Sequence, residues 1–193
     1  MPISAKEQWL LSKPAITGQN GLVASQHYLA SDAGAKILQM GGNAVDAAIA
    51  TGLMLGTVEP WMSGIGGGGY MTVYQAKQNR VQIVEFGMQA PLTSSPADYP
   101  LADEGTNASD SFNWPAVTND TNIHGPLAVA IPGYLKGIGL ASQAFGSLPF
   151  SKLIEPACQQ AELGLPLDWY SCSKINQLAR GLRQYKTTTE TYL

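Results

Sequence analysis

Few side chains in this sequence are suited to acid–base or nucleophilic chemistry. The 193 residues include two histidines, His27 and His124, and no serine lies in a Gly-x-Ser-x-Gly turn. A Ser-His-Asp catalytic set therefore cannot be assembled from local motifs. We interpret His27 as a residue that packs or caps near the first helix, and His124 as a solvated loop residue.

The two cysteines do not form a metal-binding or redox motif. Cys158 and Cys172 are not in a Cys-x-x-Cys pair, and neither has a histidine at metal-ligand spacing. Free cysteines are commonly buried, so both are expected to be buried thiols. We predict no metal site and no cofactor for this chain.

Four consecutive glycines follow the most apolar part of the chain. Residues 64–69 formally satisfy G-x-G-x-x-G, but that dinucleotide-binding pattern has meaning only when a strand precedes it and a helix follows. Here we expect a helix before it and a strand after it, and no Gly-Lys-Ser/Thr ends the run as in a phosphate-binding loop. Two interpretations stay open. The run is either a tight helix-to-strand crossing, where the backbone approaches its neighbour closely, or a loop that lines a catalytic pocket.

Two acidic residues lie at the ends of the helix predicted before the glycines. Asn43 is expected to cap this helix, and Asp46 stands three residues later, at the spacing of a capping box. Glu59 has two interpretations. It either accepts hydrogen bonds from the amides of the glycine run, which can form an anion-binding concavity, or it lies at a helix end stopped by Pro60.

Helices and strands alternate around these residues. The helix that begins at Ala44 carries small residues on every face, which is typical of a helix buried at the centre of a protein. An earlier helix is expected at 32–40, with Ser31 as its N-cap. Two segments rich in valine, isoleucine and aromatic residues, 70–75 and 80–86, are expected to form a β-hairpin.

The remaining segments complete a predicted α+β body of stacked layers. Ser, Asp, Asn and Pro residues favour a long surface loop at 87–122. We predict short buried strands at 22–25 and 127–131, helices at 134–145, 151–163 and from a cap at Asp168 through Arg180, and a solvated polar coil at 186–190. Gaps in the core are expected to be filled by four methionines: Met54, Met62, Met71 and Met88.

Composition limits the classes of partner. Charged residues make up 13% of the chain and the formal net charge is −3, so neither nucleic acid nor a membrane surface is indicated as a partner. The longest apolar run, residues 44–58, contains Asp46 and is shorter than the ~20 residues that span a bilayer. Residues 1–18 lack the apolar core of a secretory signal. We therefore expect a cytoplasmic protein with an N-terminal arm over residues 1–20.

Several of these segments together resemble the gamma-glutamyltranspeptidase family. The longest match joins Gly41-Gly42-Asn43-Ala44-Val45-Asp46-Ala47-Ala48 to Val58-Glu59-Pro60 and Ser63-Gly64-Ile65-Gly66-Gly67-Gly68-Gly69. Shorter matches are Gly21-Leu22-Val23-Ala24-Ser25, Ala90-Pro91, Val129-Ala130-Ile131-Pro132-Gly133, Phe145-Gly146-Ser147-Leu148-Pro149 and Pro156-Ala157. The resemblance extends from about Gly21 to about Trp169.

The resemblance implies an N-terminal-nucleophile hydrolase with a four-layer αββα sandwich. Members of the family are made as a precursor that cuts itself into a large and a small subunit. The N-terminal threonine of the small subunit attacks a gamma-glutamyl amide, such as that of glutathione, and the acyl group passes to water or an amino acid. The free α-amine acts as the general base, so no histidine is required. The implied partners are the small subunit and a small-molecule amide substrate.

The resemblance also implies that this chain is a truncated part of the large subunit. Residues 21–193 are expected to form a partial large-subunit domain that contains no catalytic residue. The threonines at 187–189 are not expected to be the nucleophile, because the family's cleavage site comes far later and in a different context. The fragment alone is therefore expected to be inactive.

One departure from the family bears on the substrate. Members usually carry an arginine before a Glu-x-Ala-Pro segment, where its planar fork grips the α-carboxylate of the glutamyl group. Here the residues before Ala90-Pro91 are Phe86, Gly87, Met88 and Gln89. Gly87 therefore stands at the position of the arginine, and Met88 stands at the position of the glutamate. Loss of such a clamp costs ~1.5–3 kcal/mol of binding.

Phe86, Gly87, Met88 and Gln89 are the candidate substrate-binding residues, and Gln89 is able to hydrogen-bond a neutral or smaller acyl group. Two functions stay open for the intact protein. One is cleavage of gamma-glutamyl amides, and the other is hydrolysis of small amides or acyl groups without gamma-glutamyl specificity. An inactive truncated fragment is a third outcome.

Overall fold

The computed structural model describes residues 15–106, 114–165 and 167–193. In chain order the helices and strands are α1 (Tyr28–Gln39), α2 (Ala44–Val58), β1 (Gly69–Gln75), β2 (Arg80–Phe86), β3 (Leu101–Thr106), β4 (Pro115–Val117), α3 (Tyr134–Phe145), α4 (Phe150–Leu163), α5 (Trp169–Leu182) and α6 (Lys186–Tyr192). Helices and antiparallel hairpins are both present, which confirms the α+β class. Of the predicted arm, residues 1–14 lie outside the described residues.

Helix α2 is fixed at its N-terminus by a capping box. The Asn43 side chain accepts hydrogen bonds from the amides of Val45 and Asp46, and the Asp46 carboxylate accepts one from the Asn43 amide at 2.9 Å. The Asn43 side-chain amide also donates to the Phe145 carbonyl at 2.7 Å. The predicted cap is confirmed, and it ties the start of α2 to the end of α3.

The body of α2 lies at the centre of the described core. Ile49 and Ala50 are each only 1% exposed, and the helix packs against α1, α3 and α4. A Cβ on Gly34 of α1 would collide with the Thr51 side chain of α2. Small residues at this contact let the two helices approach closely, as the sequence predicts.

Helix α1 begins four residues before the predicted segment 32–40. Its N-cap is His27, whose Nδ1 accepts a hydrogen bond from the Leu29 amide at 3.2 Å. Ser31 as the N-cap is wrong: it lies inside the helix, and its hydroxyl is hydrogen-bonded to that of Ser25 at 2.8 Å. His27 has the extended backbone that a cap requires (φ −115°, ψ 133°).

Strands β1 and β2 form the predicted antiparallel hairpin, with Met71 paired to Val84. Side chains alternate between two faces, as in any strand. The inner face packs on the core and carries Val73 together with Met71, Val84 and Phe86. The outer face is exposed and carries Tyr70, Tyr74, Val81 and Ile83.

Two predicted buried strands are wrong. Residues 22–25 belong to no strand, and Leu22 is 62% exposed. Residues 127–131 consist of the end of a 3-10 turn and an extended stretch in which Ile131 makes a single bridge to Gln89. Apolar runs predict strands only where a neighbouring strand is available to pair with them.

The predicted long loop at 87–122 contains a second hairpin. Strands β3 and β4 are antiparallel, with Leu101 paired to Val117. Residues 107–113, between the two strands, lie outside the described residues. The abundance of turn-forming residues did not prevent two strands from pairing within this segment.

The C-terminal helices agree with prediction except at the end of the chain. Helix α3 has the predicted bounds, and Asp168 caps α5 by accepting the Ser171 amide at 2.7 Å. Hydrogen bonds from Ser171 hold the pKa of Asp168 below its ordinary value. The polar coil predicted at 186–190 is wrong: this segment belongs to helix α6, where the Thr188 and Thr189 hydroxyls donate to the Leu182 carbonyl.

Several predicted core residues are exposed. Met54 is buried and Met71 packs on the core, but Met62 and Met88 are 63% and 58% exposed. Cys158 and Cys172 are also exposed, so their prediction as buried thiols is wrong. Within the described ranges, every helix is too short or too polar to cross a membrane.

Candidate functional site

The four candidate substrate-binding residues line one open cavity of about 610 Å³. It lies where strand β2 ends beside the start of helix α3. Phe86, Gly87, Met88 and Gln89 share its wall with residues 131–133 and with the first turns of α3. These four consecutive residues therefore border an open space between the end of β2 and the start of α3.

Phe86 anchors this wall to helix α3. Its ring lies edge-on to that of Tyr134, with 6.0 Å between the centroids and 70° between the planes. A Cβ on Gly137 would overlap the Phe86 side chain, so the absence of a side chain at Gly137 leaves the space that Phe86 occupies. Aromatic pairs of this geometry contribute ~0.5–1.5 kcal/mol beyond the area they bury.

The glycine run packs directly against the same segment. A Cβ on Gly68 would stand 2.7 Å from both the Phe86 carbonyl oxygen and the Met88 amide nitrogen. The Gly67 carbonyl accepts a hydrogen bond from the Tyr134 amide at 3.1 Å. The interpretation of the run as a close helix-to-strand crossing is confirmed at Gly68. Helix α2 precedes the run and strand β1 follows it, which is the opposite of the dinucleotide-binding order.

Other glycines of the run border a second open cavity of about 540 Å³, which Met88 and Tyr134 also line. Nothing lies within 4 Å of the position that a Cβ would take on Gly64 or Gly66, and neither residue has a positive φ. Within the described residues, these two glycines are therefore required neither by packing nor by backbone conformation. Burial raises the pKa of Tyr134, so its phenol is neutral beside this cavity.

Gln89 is positioned by its main chain. Its amide donates to the Ile131 carbonyl at 3.2 Å, and its carbonyl accepts from the Ile131 amide at 2.8 Å. This bridge fixes the 87–89 segment beside the stretch that leads into α3. The Gln89 side chain is exposed.

Two charged residues line the first cavity, and sequence reasoning missed both. Glu85 belongs to β2, and Lys136 lies in the first turn of α3. Neither forms an ion pair with another described residue. The sequence offered only weak signals that these two residues line the cavity: Glu85 is adjacent to Phe86, and Lys136 comes soon after Pro132-Gly133. Their shared position could not be predicted, because only the fold brings the strand and the helix together.

The other candidate residues lie outside this cavity wall. Glu59 is buried, and its main-chain carbonyl accepts the amides of Met62 and Ser63 at 2.9 and 3.0 Å. Among the described residues, no amide of the glycine run donates a hydrogen bond to its carboxylate, which favours the helix-end interpretation. His27 caps α1, and His124 is an exposed turn residue.

The threonines near the C-terminus are part of helix α6. The Thr188 and Thr189 hydroxyls donate to the main-chain carbonyls of Leu182 and Tyr185, and neither residue lines the cavity beside Gly87. In the part of the chain that the structure describes, no three His, Cys, Asp or Glu side chains come together as metal ligands.

Comparison with known proteins gives consistent matches. The family model described as gamma-glutamyltranspeptidase matches residues 30–193. The glutathione hydrolase proenzyme of Bacillus subtilis (strain 168) is 38% identical over 156 residues, which are 81% of this chain and 25% of that protein. The acylase ACY 1 proenzyme of Pseudomonas sp. (strain V22) is 37% identical over 183 residues, which are 94% of this chain and 32% of that protein.

Solved structures give the same result. The crystal structure of Helicobacter pylori gamma-glutamyltranspeptidase superimposes with a TM-score of 0.80 at 29% identity, covering 92% of this chain and 47% of that one. The enzyme from Pseudomonas nitroreducens, complexed with L-DON, superimposes with a TM-score of 0.71, also at 29% identity, covering 84% of this chain and 45% of that one. The present chain therefore spans about a quarter to a third of the curated relatives and about half of the matched structures.

Proposed function

Because the chain belongs to the gamma-glutamyltranspeptidase family, and its fold is part of an α+β N-terminal-nucleophile hydrolase, we propose that it is the N-terminal portion of an enzyme that cleaves gamma-glutamyl amides such as glutathione. In this proposal the intact precursor cuts itself, and a threonine downstream of residue 193 becomes the nucleophile. The chain described here supplies one wall of the acyl pocket and no catalytic residue.

The proposed reaction has two steps. The threonine hydroxyl oxygen attacks the amide carbonyl carbon, its proton passes through the threonine α-amine to the departing nitrogen, and the C–N bond breaks to leave an ester. Water or the amine of an amino acid then attacks the ester, and the threonine oxygen takes back a proton. No histidine is needed in either step.

One observation carries the proposal. Gly68, Gly133 and Gly137 each bring backbone or helix so close to the 86–88 segment that a side chain could not be accommodated. Segments that are far apart in the sequence thus converge on the cavity beside Gly87. These close contacts fix the backbone of the segment beside the cavity, which supports a binding role for residues 86–89.

A second candidate function is that of a small-amide hydrolase or acylase without gamma-glutamyl specificity. The observation that favours it is Gly87, which stands where the family's carboxylate-binding arginine is expected and contributes no side chain to the cavity. The similarity to an acylase proenzyme over 94% of this chain also supports it.

The small subunit is the proposed partner of this chain. The exposed outer face of the β1–β2 hairpin carries four large apolar side chains, Tyr70, Tyr74, Val81 and Ile83, and exposed apolar patches commonly mark interaction sites. In this proposal, the downstream half of the same precursor covers this face. Without that half the fragment lacks the nucleophile and is inactive.

The test uses the full-length precursor. We expect the purified protein to release p-nitroaniline from gamma-glutamyl-p-nitroanilide, and a dipeptide acceptor such as Gly-Gly to accelerate the release. Butyryl-p-nitroanilide, which lacks both charges of the glutamyl group, is the comparison substrate. Faster hydrolysis of the butyryl compound would favour the acylase function, and no hydrolysis of either compound would reject amide cleavage.

A further inference from the structure

We propose that the cavity between Trp61 and helix α5 binds a small monocarboxylate with an apolar body, such as benzoate, with its carboxylate at Lys174. This Trp61 cavity is bordered by Pro60 and Trp61 after α2, by four residues of α5, and by Tyr192 of α6. It shares no lining residue with the cavity beside Gly87. Binding at this site does not depend on the proposed amide cleavage.

The Trp61 cavity has about the size of a single ring. Its volume is about 190 Å³, and an engineered apolar cavity of ~150 Å³ binds benzene. Ile175, Leu178 and Leu182 line it at a spacing that repeats along one face of α5. Leu178 is 53% exposed, so a ligand that covers this wall removes apolar surface from water. The body of the ligand is therefore apolar and compact.

Lys174 sets the charge of the ligand. Among the described residues that line the cavity it alone is charged, and it forms no ion pair with another described residue. Residues 169–183 contain two further cations, Arg180 and Arg183, and no acidic residue, so the local potential favours an anion. A carboxylate gives the unpaired ammonium a charge-assisted partner.

The indole nitrogen of Trp61 is a second group without a partner. Trp61 Nε1 is buried and has no hydrogen-bond acceptor among the described residues, and an N–H in this state costs free energy. Tyr170 lies between the two groups: its ring centroid is 5.1 Å from Lys174 Nζ and 6.2 Å from the centroid of the Trp61 ring. A carboxylate has two oxygens, so one accepts from Lys174 and the other accepts from the Trp61 N–H after a small rotation of the indole.

Three probe compounds separate the parts of this ligand. Benzoate carries the ring and the charge, benzamide has a similar shape without the charge, and acetate has the charge without the ring. We expect benzoate to bind about tenfold more tightly than either of the others, because it alone engages both the ammonium and the apolar wall.

The experiment is calorimetric titration of the full-length protein with these compounds. We expect Lys174→Met to weaken benzoate binding about tenfold and benzamide binding less than about twofold. Leu178→Gln leaves the charge in place, so it is expected to weaken both compounds by a similar factor. Arg180→Met is the matched control, because it removes an equal charge from an exposed position of the same helix outside the cavity. We expect it to change benzoate affinity less than about twofold.

The acceptor for Trp61 is tested by the indole N–H resonances of protein that carries ¹⁵N-labelled tryptophan. The Trp61 signal is identified by its loss in Trp61→Phe. We expect benzoate to move this signal downfield in the wild-type protein, since the N–H gains an acceptor, and to leave it in place in Lys174→Met at the same concentration.

Equal affinity for benzoate in the wild-type protein and Lys174→Met would overturn the proposal, and so would an equal loss in Arg180→Met. An unmoved Trp61 signal at saturating benzoate would overturn it as well. Absence of benzoate binding to the full-length protein would reject the site, as expected if another part of that protein fills the cavity. These titrations contain no amide substrate, so their outcome is separate from that of the amide-cleavage assays.

Discussion

The carboxylate of Asp46, at the start of α2, accepts a hydrogen bond from the Ser147 hydroxyl, 101 residues later in the chain, at 2.6 Å. The Ser147 amide donates to the same carboxylate at 3.1 Å, and the Asn43 and Leu148 amides also donate to it. Asp46 is completely buried. A Cβ on Gly146 would stand 2.8 Å from this carboxylate. Two segments that match the family, 41–48 and 145–149, are thus joined through one ionised side chain.

Removal of the Asp46 carboxylate is expected to be strongly destabilising. Asp46→Ala leaves several donors without an acceptor in a buried site, so we expect a loss of about 3 kcal/mol or more in the free energy of unfolding. Ser147→Ala removes one charge-assisted bond, and we expect a loss of about 1.5–3 kcal/mol. Denaturant titration of the full-length protein measures both values. Asp32→Asn, at an exposed position on α1, is the control, and a similar loss there would contradict the explanation.

The same carboxylate is expected to make stability depend on pH. Burial by itself would raise the pKa of Asp46, but hydrogen bonds from Ser147, Asn43 and Leu148 outweigh it and hold the pKa below the ordinary value of 3.8. The folded pKa is depressed, so the contribution is complete above pH 3.8 and is lost as the pH falls from 3.8 through the folded pKa.

Measurement of unfolding free energy between pH 6 and pH 2, roughly the range in which carboxylates titrate, tests this dependence. We expect a steeper acid loss in the wild-type protein than in Asp46→Asn, which has no charge to titrate. Parallel profiles for the two proteins would show that Asp46 does not contribute to the acid limb.

The contact between Gly137 and Phe86 predicts a contrast between two glycines of one helix. Gly137→Ala places a Cβ into the Phe86 side chain, and we expect a loss of about 1–3 kcal/mol from overpacking. Gly139→Ala meets nothing within 4 Å, so we expect a gain of about 0.5–1 kcal/mol from helix propensity. Thermal melts compare the two variants. Combining Gly137→Ala with Phe86→Leu should recover part of the loss, and full additivity would contradict the contact.

Arginine at position 87 is expected to change substrate preference. Gly87→Arg places a guanidinium in the open cavity, where its fork binds a carboxylate in a bidentate manner. We expect about a tenfold rise in kcat/KM of the full-length protein for gamma-glutamyl-p-nitroanilide. Gly87→Gln is the uncharged control of similar length. An equal effect of both variants, or no gain with arginine, would show that other residues already satisfy the carboxylate.

Residues 1–193 alone are expected to have no amidase activity. We expect activity only after mixing with a separately expressed downstream half, together with a rise in the midpoint of thermal unfolding as the exposed hairpin face is covered. Hydrolysis assays and melts of each half and of the mixture measure this. A stable, inactive chain that ignores the other half would contradict the proposed partner.

The sequence by itself determined the elements whose signals are local. The capping box of Asn43 and Asp46, the small residues of α2, the β1–β2 hairpin and the Asp168 cap of α5 are all confirmed, because a cap or a periodic pattern is completed within a few residues of the chain. Local signals failed where a competing local interaction was present. His27 rather than Ser31 caps α1, and the threonines of α6 bond to preceding carbonyls instead of remaining solvated.

Only the tertiary structure decided which helices and strands contact one another and which side chains they bring to a common surface. The sequence singled out Phe86, Gly87, Met88 and Gln89 through their place beside a family motif, but not Glu85 or Lys136, which lie on a strand and a helix that are distant in sequence. The sequence also did not predict that Met88 and the two cysteines are exposed. Burial and charge placement depend on contacts between distant segments, such as Asp46 with Ser147, and no periodicity within one segment encodes them.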